Sequence, residues 1–128
     1  MTLLQVDGIG MSFGGVRALD DVQFSVAEGE TVGLMGANGA GKTTLFSIIA
    51  GHVKPTNGDI RFQQQPITGL RPDRICRLGI ARTFQIVRPF AGMTTRENVE
   101  IALLFGSKSP PPAASLAEQA VAVLDEVG

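Results

Sequence analysis

A chain of 128 residues and 13.5 kDa has room for one domain or a piece of one, which excludes two full domains. Hydrophobic residues make up 44% and charged residues 18%, far from the composition of disordered chains, so the sequence should fold around an apolar core. Eleven Lys and Arg against twelve Asp and Glu leave a net charge of -1, which offers no basic field to a phosphate backbone and argues against nucleic acid as a partner. Cys76 is the single cysteine, and the N-terminus lacks the basic and then apolar layout of a secretory signal. A reducing compartment is expected. No apolar run approaches the roughly 18 residues of a membrane span.

Residues 3–13 and 18–26 read as half-buried strands, the second by the alternation of Val22, Phe24 and Val26 with Asp21, Gln23 and Ser25. After a turn at 28–30, residues 31–35 are apolar on both faces, as in a strand covered on both sides of a sheet. A glycine-rich loop follows. Leu45, Ile48 and Ile49 then share one face of a helix predicted over 42–50 and capped by Gly51. Residues 55–58 are a turn signal ahead of a short strand with Ile60 and Phe62. Pro72 opens a helix that Gly79 closes, and 80–84 is a further strand candidate. Thr94 and Glu97 have capping-box spacing for a helix from Thr95 to Gly106. Ser115 and Glu118 predict a second box, for a helix over 116–127. The segment 107–114 between them holds three consecutive prolines and reads as a mobile linker.

Gly36-Ala37-Asn38-Gly39-Ala40-Gly41-Lys42-Thr43 fits G-x-x-x-x-G-K-[ST], placed between a predicted strand and a predicted helix as that motif requires. Glycines let successive N–H groups point into one anion-sized nest, and the helix directs its positive end to the same spot. Lys42 would reach the β and γ phosphates, and the Thr43 hydroxyl would join the shell of a Mg2+ ion. A dinucleotide fingerprint is the rival, but neither Gly8-Ile9-Gly10 nor the Gly36 loop has the form G-x-G-x-x-G.

The stretch from Met35 through Thr44 to Leu45 resembles the Walker A segment of ABC-transporter ATPases, and the resemblance extends over nearly the whole chain. It implies an α/β P-loop core with a mostly parallel sheet, an N-terminal antiparallel β layer and the start of a helical subdomain. The chain would be the N-terminal part of such a domain, with the core and β layer in 1–85 and the Q-loop with part of the helical subdomain in 86–128. ATP would be held by Gly36, Asn38, Gly39, Ala40, Gly41, Lys42, Thr43 and Thr44, with Phe13, before Gly14-Gly15, stacked on adenine. Gln85, ending Ala81-Arg82-Thr83-Phe84-Gln85, would join Thr43 at Mg2+ and act with Lys42 in hydrolysis. Within the family, 81–85 and Thr94-Thr95-Arg96-Glu97-Asn98-Val99 are similar to the ATPases of branched-chain amino-acid importers, with urea importers similar too and lipopolysaccharide exporters more distant. The partners implied are transmembrane permease subunits, met by Val87, Phe90 and Met93 in 86–93, and a second ATPase subunit. The location implied is the cytoplasmic face of the plasma membrane.

No L-S-G-G-Q signature, Walker B glutamate or switch histidine follows in these residues, so the hydrolytic machinery is expected to be incomplete. The alternative is a nucleotide-binding module without turnover. Residues 121–126 imitate a Walker B strand, but Leu116, Ala120, Val123, Leu124 and Val127 describe an amphipathic helix ending in solvated Asp125 and Glu126. A small kinase or GTPase is disfavoured by the missing N-K-x-D motif. His52 reads as a helix-end residue and Cys76 as an inert packed thiol. Arg82, Arg88 and Arg96 read as a solvated face or partner contacts.

Overall fold

Strands β1 (Thr2–Phe13) and β2 (Val16–Ala27) form an antiparallel hairpin around Gly14 and Gly15, in a computed structural model that describes all 128 residues. On its other edge β1 pairs antiparallel with β3 (Asn57–Phe62), and β3 pairs with the short β4 (Gln65–Pro66), giving the order β2-β1-β3-β4. The alternation predicted for β2 holds, with Val22, Phe24 and Val26 half-buried and Asp21, Gln23 and Ser25 exposed. In β1 it breaks, because three steps from Val6 to Ile9 face two steps from Phe24 to Val22. The extra residue is a bulge, and it returns Ile9 to the face of Val6. Both are buried, with Leu19, Ile60, Phe62 and Ile67 and with Leu45 and Ile48 of α1 (Lys42–Ile49). Each fully buried aliphatic side chain stabilises the fold by roughly 1.5–3 kcal/mol. These residues form the core of one compact unit, Met1–Pro72.

The other unit, Asp73–Gly128, holds α2 (Pro72–Leu78) from its second residue onward, α3 (Thr95–Phe105) and α4 (Ala113–Val127). Helix α2 starts at Pro72 as predicted, and Gly79 closes it with its N–H on the Cys76 carbonyl at 3.0 Å. The capping box at α3 is complete: Thr94 Oγ1 accepts from the Glu97 N–H at 3.2 Å, and Glu97 Oε2 accepts from the Thr94 N–H at 2.7 Å. Helices α3 and α4 pack together, with Ala120 fully buried.

The fold is α/β with an antiparallel N-terminal sheet, and it departs from expectation at five places. Residues 31–35 and 80–84 are not strands, and the sheet contains no parallel pair. An apolar run becomes a strand only with a neighbour to take its N–H and C=O groups, and Val32, Leu34 and Met35 are exposed. Asn57 and Gly58 belong to β3 instead of a turn, because Asn57 pairs with Gly10 and donates from Nδ2 to the Gly8 carbonyl at 3.0 Å. Gln63 and Gln64 form an unforeseen hairpin loop, both with positive φ. The box at Ser115 does not form. Helix α4 starts after Pro112, and Ser115 Oγ donates to the Pro112 carbonyl at 3.2 Å while accepting from Gln119 Nε2 at 3.2 Å. Residues 121–126 are helical, with Asp125 and Glu126 exposed.

Candidate functional site

Helix α1 begins where the glycine loop ends, and Gly41 makes the junction with a φ of 94°. A Cβ at Gly41 would lie 2.6 Å from the Ala18 carbonyl oxygen and 2.7 Å from Leu19 Cδ2, so β2 forms a floor that only glycine can approach. No side chain caps the helix, and its first turn carries no acidic residue. The start of α1 therefore keeps its positive end exposed to a ligand.

Lys42 turns back over the loop, its Nζ donating to the Gly36 carbonyl and, at 3.1 Å, to the Ala37 carbonyl. The Ala40 N–H donates to the same Ala37 carbonyl at 3.1 Å, so the loop folds on itself around Asn38 and Gly39. Ammonium, loop backbone and helix terminus occupy one stretch of chain. Gly36, Asn38, Gly39, Ala40 and Thr43 are exposed, while Gly41, Lys42 and Thr44 are half-buried. A multiply charged anion such as a phosphate chain suits this donor set. No cluster of three or more His, Cys, Asp or Glu exists to cage a metal ion. A cation here would take the Thr43 hydroxyl from this loop and complete its shell with phosphate and water oxygens, the arrangement Mg2+ favours.

Phe13 ends β1 and is half-exposed. Its cross-strand partner Val16 lies two residues before Ala18, so the strand that floors the loop also carries the tip bearing Phe13. Gln85 belongs to the other unit, at an exposed bend. After it Ile86, Val87, Phe90 and Met93 are all exposed. Arg82 lies over the Phe84 ring at 4.7 Å and Arg96 Nε pairs with Glu100 at 3.3 Å, while Arg88 is exposed. His52 is exposed just beyond α1, and Cys76 is a half-buried free thiol.

Sequence reading quoted Asn98 only within the importer-like stretch 94–99 and gave it no role, whereas its side chain bonds to the backbone of Phe90, Met93 and Thr94. The available signal was an asparagine one residue after the Glu of a capping box, a place where its amide can reach back past the helix start.

An α/β fold with a glycine loop, a lysine at the helix start and an uncapped N-terminus defines a nucleotide-binding protein. Residues 19–128 match the ABC transporter family, and the chain belongs to that family. It is 46% identical over 100 residues to the high-affinity branched-chain amino acid transport ATP-binding protein LivG of Salmonella typhimurium, a match covering 78% of this chain and 39% of that protein. Identity to the corresponding protein BraF of Pseudomonas aeruginosa is 45%, with the same coverage. The chain thus spans about two fifths of the length of the curated relatives it matches. It also resembles an ATP-binding cassette of an ABC transporter solved in its ADP conformation, with a TM-score of 0.82 and 34% identity, over 98% of this chain and 53% of that one.

Proposed function

We propose that this chain is the nucleotide-binding part of the ATP-binding subunit of an ABC importer, which couples ATP binding and hydrolysis to uptake of branched-chain or other apolar amino acids. The observation that carries the reading is the return of Lys42 onto Gly36 and Ala37 at the glycine-capped start of α1. The names of LivG and BraF support the cargo. With a triphosphate present, the ammonium exchanges two neutral carbonyls for charged β and γ oxygens, and such bonds are roughly twice as strong. Backbone amides of Asn38, Gly39, Ala40, Gly41, Thr43 and Thr44 surround the phosphates, and Phe13 stacks on adenine. Thr43 would join the shell of Mg2+, a role the family resemblance implies for Gln85 as well, and the ion would neutralise charge building on the phosphate oxygens. Gln85 also orients the attacking water, and Lys42 stabilises the negative charge of the transition state.

In this reading a mostly parallel core sheet belongs to the intact domain. The exposed apolar groups of 86–93 meet the transmembrane permease, and a second ATPase subunit completes the assembly at the cytoplasmic face of the membrane. No helix of this chain is long and apolar enough to cross a membrane. Titration calorimetry with Mg-ATP tests the site. Lys42→Ala should weaken binding by about tenfold or more, the cost of one charge-assisted contact, and AMP should bind worse than ATP. Equal affinity of wild type and variant overturns the assignment.

A further inference from the structure

The carboxamide of Asn98, on the first turn of α3, is committed to one turn of backbone. Its Oδ1 accepts from the Phe90 N–H at 2.8 Å, and its Nδ2 donates to the carbonyls of Phe90 at 3.2 Å, Thr94 at 2.9 Å and Met93 at 3.4 Å. The two-way bond to Phe90 copies one rung of an antiparallel ladder. The other bonds hold the far end of the turn, which the Met93 N–H closes on the Phe90 carbonyl at 3.0 Å. Facing outward, Phe90 is 56% and Met93 39% exposed, and a Cβ at Gly92 would meet open space. Burial of these side chains therefore contributes little rigidity, and the Asn98 amide ties both ends of the turn.

We infer that Asn98 is a positioning residue for permease docking: it fixes the 90–94 turn to α3 so that Phe90 and Met93 are presented outward in one arrangement. The inference rests on the importer reading above, in which 86–93 meets the permease. A surface ordered in advance spares the partner the cost of ordering it on binding. Asn98→Ala removes all four side-chain bonds and leaves the backbone bond from the Asn98 N–H to the Thr94 carbonyl. Asn98→Asp keeps an acceptor for the Phe90 N–H but sets a carboxylate against the carbonyls of Phe90, Met93 and Thr94, so it should fail in the same way.

The test uses the full chain with Cys76→Ser and Phe90→Cys, co-expressed with the permease subunits of its own transporter and treated with a thiol crosslinker. Adding Asn98→Ala or Asn98→Asp should lower the yield about tenfold, the loss expected from one well-made set of ties. Thr94→Ala, which removes the α3 cap but leaves the Asn98 amide and its backbone partners, should lower it less than about twofold. Amide exchange at Phe90 should accelerate in the Asn98 variants alone. Equal losses for Thr94→Ala and Asn98→Ala, or wild-type yield and exchange in Asn98→Ala, overturn the inference while the importer reading stands. No crosslink even with Asn98 intact overturns the permease surface, and the inference with it.

Discussion

Gly58 and Gly15 are both glycines of the antiparallel sheet region, yet their surroundings demand different things. A Cβ at Gly58 would lie 2.7 Å from Ile9 Cα and close against the Gly8 carbonyl, and φ there is 95°. At Gly15 a Cβ meets nothing within 4 Å. Gly58→Ala should therefore cost about 3 kcal/mol or more, through backbone displacement and left-handed strain together, while Gly15→Ala should change stability by less than about 0.5 kcal/mol. Urea unfolding of the two variants checks this, and similar midpoints would contradict it. The reason for Gly58 was not legible in sequence, where Asn57-Gly58 reads as a turn. Its neighbour in space is Gly8, fifty residues away. The reason for Gly36, Gly41 and Lys42 was legible, because a loop that must expose amides ahead of a helix draws its pattern from adjacent residues.

Among the elements, the Gln63-Gln64 hairpin loop places two ordinary L-residues at φ values of 48° and 66°. Glutamine has no special tolerance for that region, and the pairing of Phe62 with Gln65 and Arg61 with Pro66, with the Gln63 N–H on the Leu3 carbonyl at 2.8 Å, holds it there. Replacing Gln64 by Gly should raise stability by about 1 kcal/mol, the relief of left-handed strain exceeding the added freedom of the unfolded chain. Thermal unfolding checks the sign. The α3 cap was readable because Thr94 and Glu97 find their partners within three residues. The Ser115 box had the same spacing and failed. Pro112 starts the helix at Ala113, so Ser115 already sits in its first turn, where its hydroxyl bonds back to Pro112.

At the scale of the whole chain, nucleotide binding and nucleotide-driven assembly separate. The P-loop elements lie in Met1–Pro72, and residues 1–128 contain no L-S-G-G-Q segment to grip a triphosphate from a second copy. A ligand held equally by monomer and dimer cannot shift the balance between them. A polypeptide of residues 1–128 should accordingly bind Mg-ATP without forming ATP-dependent dimers, and its phosphate release should stay near background. Sedimentation with and without Mg-ATP and a steady-state phosphate assay test this, and ATP-dependent dimers with sustained turnover would contradict it. By itself the sequence determined the loop, helix α1, the α3 cap, the helical character of 121–126 and the family, since each is written in residues within a few positions of one another. Only the tertiary structure decided that 31–35 and 80–84 are not strands, that the β1 bulge brings Ile9 beside Val6, that β2 floors Gly41, and that Asn98 ties the 90–94 turn. Those outcomes depend on which distant backbone supplies hydrogen bonds or excludes a Cβ, and no local pattern of side chains encodes that choice.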